Sequence, residues 1–422
     1  MKHFCASLFL FALAMAIRAQ DSVVTLAGQA LVSGATNGVG TNAIFSDPAA
    51  IVSDTNGNFF VADSLNNAIR KIATNGVVTT LAGQLGVSGS SNGTGTNAQF
   101  NDPSGIAIDG AGNLFVSDTG NDIIRKITPA GAVTPVAGVV GQSGFSNGPA
   151  ATACFSSPLG LIVTTNGAVF VADSGNHCIR AISNNVVSTF AGTPDIWGTN
   201  DGAAGVAQFN GPLGLARDNQ GNLFVSDSNN HTIRKITPAG VVSTWAGSPG
   251  LDGYVDGDGQ TTRFCKPAEL AMDGQGNLFV ADSFNSVIRK ISSAGQVSTI
   301  SGLAGIPGTA DGINGQGRFF NPYGLAVDSA GELVVADAYN ELIRLVLVPF
   351  NVSIKTASGN SSAVISWNGV IGKTYQPQCE AMISGATWTN LGAVIFASHQ
   401  NLSVTDNFSG PAQKMYRITV QP

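Results

Sequence analysis

Two histidines occupy equivalent positions of a repeated pattern and are candidates for metal chemistry. His177 and His231 each follow the last asparagine of an Asp-x-x-Asn sequence. Neutral imidazole is a common ligand of zinc and other transition metals. A catalytic zinc site needs three protein ligands and an open position, and His3 and His399 lie outside the repeated part. A metal-dependent lyase or hydrolase is therefore an alternative to the favoured function.

The densest acidic loop spans residues 252–259 and contains Asp252, Asp256 and Asp258. Carboxylate and carbonyl oxygens are the ligands that calcium prefers. The spacing lacks the downstream glutamate of an EF-hand loop, so a solvated Gly-Asp turn is the favoured interpretation. We expect no cofactor, with calcium or zinc as the alternatives.

Three aromatic residues stand at loop positions where most other copies carry small or polar residues: Phe145, Trp197 and Tyr254. Exposed aromatic side chains bind sugars, peptides or protein partners. We predict a ligand-binding wall formed by these rings, with Asp252, His177 and His231 as polar contributors. The alternative is that the rings pack against neighbouring loops, because aromatic residues are more often buried.

These candidates belong to a unit of 54 or 55 residues that occurs six times. One aspartate recurs at this interval: Asp63, Asp118, Asp173, Asp227, Asp282 and Asp337. An arginine follows each aspartate: Arg70, Arg125, Arg180, Arg234, Arg289 and Arg344. A period of this length indicates an array of supersecondary units.

Each unit predicts four short antiparallel strands. In the second copy these are residues 105–109, 113–118, 123–128 and 132–138, separated by turns that contain Gly, Asn, Asp or Pro. The apolar run Asn-Leu-Phe-Val indicates a strand that is covered on both faces. Sheets stacked around an axis provide that cover, so we predict an all-β fold, a six-bladed β-propeller.

The ends of the repeated part predict how the ring closes. The last copy, residues 321–348, lacks the outer strand that ends in Ala-Gly. Residues 21–28 (DSVVTLAG) match that strand, as the copy at residues 76–83 (GVVTTLAG) shows. We predict that the N-terminal strand completes the sixth blade.

The repeated polar residues fit a structural role. Asp118 ends the second strand and Arg125 lies early in the third, so their side chains can meet across the hairpin in a charge-assisted pair. Asn121 can bond to the turn backbone or adopt a left-handed conformation. A residue needed once for chemistry would not occur six times, so we interpret the triplet as shaping the blade.

The long loops between blades mark the predicted binding face. An example is the Gly-rich segment 83–101, and loops of this length are usually functional or disordered. Each loop joins an outer strand to the next inner strand. The loops therefore lie on the same face as the Asp-x-x-Asn turns.

The chain divides into three predicted segments. Residues 1–19 have the features of a signal peptide, residues 20–349 form the propeller, and residues 350–422 predict a small C-terminal β-sandwich. Cys154 and Cys178 belong to one blade and form a disulfide or remain unpaired thiols.

Composition narrows the class of function. Charged residues are 11% of the chain, against roughly 25% in an average domain. The net charge of −6 and the lack of a basic cluster argue against nucleic-acid binding. After residue 19 no apolar segment is long enough to span a membrane. We expect a monomer that is secreted, either extracellular or periplasmic.

The repeated run Pro-x-Gly-(Ile/Leu)-Ala-x-Asp, followed by Gly-Asn-Leu-Phe-Val-(Ala/Ser)-Asp-Ser-x-Asn-x-x-Ile-Arg-Lys-Ile, resembles the NHL repeat. It is similar to the version in secreted bacterial proteins with long inter-blade loops, and the resemblance covers residues 21 to about 348. It implies a six-bladed propeller and a binding or interaction role, although relatives such as peptidylglycine amidating lyase are metal enzymes. The C-terminal segment is similar to fibronectin type III-like modules.

Three functions follow from these observations. The favoured one is a secreted, non-catalytic propeller that binds a protein, peptide or glycan on the long-loop face. The alternatives are a metal-dependent lyase or hydrolase on the same face, and a structural protein of the cell envelope.

Overall fold

The computed structural model describes residues 22–313, 315–328 and 331–347, and the C-terminal stretches 352–356, 362–368, 374–381, 389–396, 401–407 and 414–421. The chain divides into a compact unit, Asp21–Val348, and a second unit that includes Pro349–Pro422. The predicted signal peptide, residues 1–19, lies outside the described residues.

The first unit consists of six antiparallel sheets, here called blades 1 to 6 in chain order. The innermost strands are Pro48–Ser53, Pro103–Ile108, Pro158–Val163, Pro212–Arg217, Pro267–Met272 and Pro322–Val327. The second strands are Phe59–Asp63, Leu114–Asp118, Val169–Asp173, Leu223–Asp227, Leu278–Asp282 and Leu333–Asp337. The third strands are Ala68–Ile72, Ile123–Ile127, Cys178–Ser183, Thr232–Ile236, Val287–Ile291 and Leu342–Leu347. Proline suits the first residue of a strand because it has no amide proton to donate to the ladder.

The outer strands of blades 1 to 5 are Val77–Ala82, Ala132–Ala137, Val186–Ala191, Val242–Ala246 and Gln296–Gly302. Two-residue edge strands from the preceding loops add to five blades: Gly38–Val39, Gly93–Thr94, Gly148–Pro149, Gly257–Asp258 and Gly312–Ile313. The prediction of an all-β, six-bladed propeller is confirmed.

The sixth blade is completed by the N-terminal strand Ser22–Ala27. This strand runs antiparallel to Leu342–Leu347, with Val23 opposite Val346 and Val24 opposite Leu345. Thr25 donates from its main-chain N–H to Asp311 Oδ2 at 3.1 Å and from its hydroxyl to Asp311 Oδ1 at 2.9 Å. The predicted closure of the ring is therefore confirmed, and residues from both ends of the propeller share its last sheet.

Strand direction gives the propeller two distinct faces. The long-loop face carries the inter-blade loops and the 3₁₀ turns Ser64–Asn66, Thr119–Asn121, Ser174–Asn176, Ser228–Asn230, Ser283–Asn285 and Ala338–Asn340. Further 3₁₀ turns in the loops are Gly40–Asn42, Gly95–Asn97 and Gly259–Thr261. The opposite face, called the turn face, carries the turns between first and second strands and between third and outer strands. The predicted placement of the long loops beside the Asp-x-x-Asn turns is visible in the bond from Asn66 Nδ2 to Gly34 O, 2.6 Å.

The core lies between adjacent blades. Aliphatic residues of one second strand pack against those of the next blade, as Val61 and Val334 do in one cluster. A fully buried phenylalanine from each long loop also lies near the core: Phe45, Phe100, Phe155, Phe209, Phe264 and Phe319. Each long loop is therefore anchored in the protein interior, which fixes the face it builds.

The cysteines Cys154, Cys178 and Cys265 are free thiols. The hypothesis of a Cys154–Cys178 disulfide is therefore wrong. Cys178 begins a third strand and is buried against Gly192, whereas the Cys154 sulfur lies 4.0 Å from the Thr152 carbonyl of its own loop.

The second unit contains two antiparallel sheets. Val352–Thr356, Ser362–Asn368 and Asn401–Asn407 form one sheet. Thr374–Ala381 pairs with Lys414–Gln421, Thr389–Asn390 and Ile395–Phe396 in the other. The β-sandwich of residues 350–422 stays a prediction.

Candidate functional site

A buried ion pair lies at the long-loop end of every blade. In blade 1, Arg70 Nη1 is 2.6 Å from Asp63 Oδ2, and both side chains are fully buried. Asn66 Nδ2 donates to the same oxygen at 2.8 Å, and the main-chain N–H of Ser46 donates to Asp63 Oδ1 at 2.8 Å. The equivalent pairs in the other blades are Asp118–Arg125, Asp173–Arg180, Asp227–Arg234, Asp282–Arg289 and Asp337–Arg344, at 2.6 to 2.9 Å.

The guanidinium also holds the long loop in place. Arg70 Nη1 donates to Ile44 O, and Nη2 donates to Thr36 O and to Asn37 Oδ1 at 2.9 Å. Its centre lies 5.0 Å from the ring centroid of Phe45. The loop residues that accept from each arginine in this way are Asn37, Asn92, Asn147, Asp201, Asp256 and Asp311. These side chains tie the loops to the buried arginines, and Asp201, Asp256 and Asp311 remain partly exposed while doing so.

Burial opposes ionisation of these carboxyls and raises the pKa of Asp63 to about 6. The guanidinium of Arg70, the main-chain N–H of Ser46 and the amide of Asn66 act in the opposite direction. The other five aspartates have a pKa raised by burial in the same way. The aspartate oxygens and the Nη atoms of each arginine have partners within the blade and its loop, which agrees with a structural role, whereas the buried Nε atoms of Arg70, Arg125, Arg180, Arg234 and Arg344 have none.

His177 and His231 act as hydrogen-bond acceptors between blades. His177 Nδ1 accepts from the main-chain N–H of Gly211, and His231 Nδ1 accepts from that of Lys266, both at 3.2 Å. The equivalent residue of blade 1, Asn67, accepts from Asp102 N–H at 2.9 Å. Burial lowers the pKa of both histidines, so the neutral imidazole that can accept is favoured. The Nδ1 atom of each histidine that was predicted as a metal ligand therefore already accepts a hydrogen bond.

The carboxylates of the acidic loop, residues 252–259, each have a different partner. Asp256 pairs with Arg289 at 2.6 Å, and Asp258 accepts a hydrogen bond from Gln296. Asp252 Oδ2 instead lies 3.9 Å from the Cys265 sulfur. Among the residues that the structure describes, no group of three or more His, Cys, Asp or Glu side chains is arranged to hold a metal ion.

The three predicted aromatic residues differ in their surroundings. The Phe145 ring covers the Arg180 guanidinium at 4.6 Å, and the Tyr254 ring covers that of Arg289 at 5.1 Å. The Tyr254 hydroxyl also donates to Thr299 Oγ1 at 2.9 Å. Trp197 is the most exposed of the three. Phe145 and Tyr254 thus have a packing role, and each of these two rings lies over the arginine of its own blade.

A second set of exposed apolar residues was not predicted. Leu65, Phe284 and Tyr339 occupy the middle of the 3₁₀ turns of blades 1, 5 and 6, which are neighbours because the ring is closed. Blades 2, 3 and 4 carry Gly120, Gly175 and Asn229 at that position. The Tyr339 ring packs edge-on against Phe320, with 5.2 Å between centroids. The difference in residue type at this turn position could be seen by aligning the repeats. That blades 5, 6 and 1 are neighbours follows only from the closed ring. Leu65, Phe284 and Tyr339 are called the apolar rim below.

Carboxylates lie beside the apolar rim. The main-chain N–H of Asp47 donates to Glu341 Oε2 at 2.6 Å, which joins blade 1 to blade 6. Burial raises the pKa of Asp47, and the negative charge of Asp102 in blade 2 raises it further. This part of the face therefore combines apolar side chains with carboxyls that favour a hydrogen-bonding or positively charged partner.

The sheet topology and the repeated network define a closed β-propeller built from sequence repeats. The sequence profile of the NHL repeat matches residues 155–182 and 209–236, so the chain carries NHL repeats. Within the residues that the structure describes, no helix is long and apolar enough to cross a bilayer.

The chain is similar in sequence to larger proteins. Protein SUPPRESSOR OF QUENCHING 1 of Arabidopsis thaliana is 31% identical over 268 residues, which cover 59% of this chain and 25% of that protein. NHL repeat-containing protein 2 of Gallus gallus is 30% identical over 342 residues, 71% of this chain and 46% of that protein. The chain thus spans less than half of the length of these relatives.

Solved structures show the same fold. A crystal structure of an auxiliary nutrient binding protein from Bacteroides thetaiotaomicron matches with a TM-score of 0.60 at 14% identity, over 79% of this chain and 77% of that one. At this identity the match supports the fold, and the chemistry of the site has to come from this chain's own residues.

Proposed function

We propose that this chain is a secreted, non-catalytic binding propeller whose long-loop face binds a protein, peptide or glycan. Residues 1–19 and the repeat resemblance support the secreted location. The proposal for the binding face rests on one observation, the unequal distribution of exposed apolar side chains between the two faces.

The long-loop face presents large side chains to solvent. The exposed fractions are 68% for Trp197, 63% for Phe284, 62% for Leu65, 52% for Tyr339 and 43% for Tyr254. Clusters of exposed apolar residues on a soluble protein mark interaction sites more often than single ones do. Tyrosine and tryptophan in particular provide large contact area with few rotatable bonds.

In the five described turns between first and second strands, the turn face carries no large apolar residue. The turns between first and second strands consist of Gly, Asp, Asn, Thr, Ala and Gln: residues 54–57, 109–112, 164–167, 218–221 and 273–276. Val186 and Val241, which are exposed, begin outer strands at the periphery. Among the described residues, the exposed aromatic side chains therefore lie on the long-loop face, whereas exposed valines such as Val39, Val186 and Val241 lie near the turns between third and outer strands.

The chemistry of the apolar rim favours a particular kind of ligand. Aromatic rings stack on the flat faces of sugars and on apolar side chains, and nearby carboxylates accept from hydroxyl or ammonium donors. Asp47 and Glu341 supply such carboxylates beside Tyr339 and Leu65. A glycan, or a peptide or protein segment with a basic residue, satisfies both requirements.

A paired-variant screen tests the proposal. Wild-type protein is screened on an array of immobilised polysaccharides and against a displayed peptide library. Binders are then measured with the double variant Phe284→Ser, Tyr339→Ser. We expect affinity to fall at least about tenfold, because aromatic anchors commonly contribute 2 kcal/mol or more and 1.4 kcal/mol is a factor of about ten.

The matched control changes two exposed residues of the turn face, Gln220→Ser and Gln275→Ser, and should bind like the wild type. Thermal melts of both variants should match the wild type, because all four side chains are exposed. Binding that survives the rim variant but is lost in the turn-face control would overturn the proposal. Absence of any binder would favour a structural envelope role instead.

A further inference from the structure

The inner strands enclose a cavity of about 260 Å³ on the propeller axis. The residues that line it are mainly aliphatic, for example Ile108, Val163 and Val327, but polar atoms also form a substantial part of its surface. The lining reaches the last residues of these strands, which adjoin the turn face. The cavity therefore lies toward the face opposite the apolar rim. Its volume suits a small molecule rather than a drug-sized one, which needs roughly 300 Å³ or more.

At the other end of the cavity the inner strands lie very close together, and the residues at that level are small. Equivalent positions of the inner strands hold Ala50, Gly105, Gly160, Gly214 and Gly324. A Cβ atom added at Gly214 would lie 2.5 Å from Ala268 O, and one at Gly324 would lie 2.7 Å from the Ala50 Cα. The strands approach so closely at this level that five of the six copies have no side chain beyond a methyl group.

In blade 5 the equivalent position holds Glu269 instead of glycine or alanine. A Cβ atom built on Gly160, two blades away, would stand 3.2 Å from Glu269 Oε2. The side chain therefore crosses the narrow end of the cavity into space that the glycine of blade 3 leaves open. It accepts hydrogen bonds from the main-chain N–H groups of Leu215 and Leu270.

Glu269 has no cationic partner in this cavity. The residues that line it, all within the described part of the chain, include no Lys, Arg or His. Burial raises the pKa of Glu269 to about 8, so the group is mainly protonated at neutral pH. Above it, toward the long-loop face, burial and the charge of Glu269 raise the pKa of Tyr323, which keeps that phenol neutral.

We propose that the axial cavity is a binding site for a small aliphatic ammonium ion, whose charged head pairs with Glu269 and whose alkyl chain lies against the aliphatic walls. A buried carboxylate is stable only when it is paired and hydrogen-bonded, and the ligand supplies the missing counter-ion. On binding, the alkyl chain is transferred from water to the apolar part of the cavity surface. This site is separate from the long-loop face and does not depend on the function proposed for it.

Calorimetry with n-hexylammonium chloride tests the site. n-Hexanol and sodium hexanoate serve as probes of the same chain length with a neutral or a negative head. We expect hexylammonium to bind at least about tenfold more tightly than hexanol, and hexanoate to bind more weakly than either. In Glu269→Gln the advantage of the ammonium over the alcohol should shrink to less than about twofold.

The heat of binding gives a second readout that a nonspecific apolar site would not produce. Glu269 releases its proton when it pairs with the ammonium, so at pH 7 the measured enthalpy should depend on the ionisation enthalpy of the buffer. At pH 9.5, and in Glu269→Gln at either pH, that dependence should be absent.

A blocking variant covers the case in which Glu269→Gln folds poorly. Ser53 lines the cavity at the end of its strand, and Ser53→Phe should fill the entrance and abolish hexylammonium binding without lowering the melting temperature by more than a few degrees. Equal binding of hexylammonium and hexanol to the wild type, or no binding of either at millimolar concentration, would overturn the proposal.

Discussion

The two faces of this propeller are built from the same six repeats but present different chemistry. The turn face is made of short polar turns such as 218–221 and 273–276. The long-loop face carries anchored loops of 19 or 20 residues and apolar side chains that differ from blade to blade. The comparison teaches that the repeated residues maintain the fold, while residues that depart from the repeat provide the surface that a partner can recognise.

The long-loop face is itself divided. Blades 2 to 4 carry Gly120, Gly175 and Asn229 in the 3₁₀ turns, whereas blades 5, 6 and 1 carry the apolar rim. Ring closure by the strand Ser22–Ala27 makes the three rim blades contiguous. The following predictions test these contrasts, beginning with the largest expected effect.

Deleting residues 20–28 should cause the greatest loss of thermal stability. The deletion removes an outer strand, uncovers the third strand Leu342–Leu347, and takes away the buried Val23 and Ala27. A buried valine alone contributes about 1.5–3 kcal/mol, and 1 kcal/mol corresponds to roughly 2–4 °C in a domain of this size or somewhat smaller. We expect a melting temperature lower by at least about 10 °C.

The control for this deletion is Val24→Ser, which changes an exposed residue of the same strand. It should melt within about 2 °C of the wild type, because surface substitutions usually change stability by no more than 0.5 kcal/mol. An unchanged melt of the deletion variant would refute closure by this strand.

Asp173→Ala should strongly destabilise blade 3. The substitution leaves the fully buried Arg180 without its carboxylate, and breaking one partner of a buried pair costs about 3–5 kcal/mol. On the turn face, Asp218→Ala removes hydrogen bonds to Gln220 N–H and Asn222 N–H and should cost about 1–2 kcal/mol. Denaturant unfolding of the two variants gives the difference. Equal losses would mean that the two faces are not distinguished by their buried ion pairs.

The pH dependence of stability should report Glu269. Its pKa is about 8 in the folded protein, against an ordinary value of 4.5, so the folded state binds a proton that the unfolded state releases. The stabilisation from this group is present below pH 4.5 and is lost as the pH rises through about 8. The contribution of Glu269 alone to the slope of the unfolding free energy should reach at most about 1.4 kcal/mol per pH unit in that window, and the aspartates of the buried ion pairs, whose pKa is also raised, add to the total slope.

Glu269→Gln is the matched control, because the amide does not titrate between pH 5 and 8. The stability difference between wild type and variant should shift in favour of the variant as the pH rises. A difference that stays constant over this range would contradict the placement of Glu269 in an apolar site.

His231→Asn should have the smallest effect. Asn67 makes the equivalent inter-blade hydrogen bond in blade 1, so asparagine can replace the imidazole acceptor. We expect a change of about 0.5 kcal/mol or less for asparagine and about 1 kcal/mol for His231→Ala, measured by denaturant unfolding. If added zinc raised the melting temperature of wild type but not of His231→Asn, the histidine would be a metal ligand after all.

Much of the architecture could be predicted from the spacing of repeated residues. The period gave six blades, the missing outer strand of the last copy gave the closure, and the Asp118–Arg125 spacing indicated the hairpin pair. The contact of Arg70 with Asn37 was not predicted, because these residues are 33 positions apart and two strands, Pro48–Ser53 and Phe59–Asp63, lie between them in the chain.

The candidate site was less accessible to sequence reasoning. Phe145 and Tyr254 stood out by residue type, but only coordinates show that their rings cover buried arginines. Glu269 was not among the predicted site residues, although it differs from the glycine or alanine of the other copies, and its position opposite Gly160, two blades away, is visible only in the structure. Departures from a repeat can be identified from the sequence alone, whereas the contacts of those residues depend on how the ring closes.

Hydrogen–deuterium exchange with a bound partner tests the central claim most directly. A polysaccharide or peptide from the screen is added to the wild-type protein, and protection is compared between the two faces. We predict slower exchange in the turns Ser283–Asn285, Ala338–Asn340 and Ser64–Asn66, and no change at residues 218–221 and 273–276. Protection confined to those last two turns would contradict the assignment of the long-loop face as the binding face.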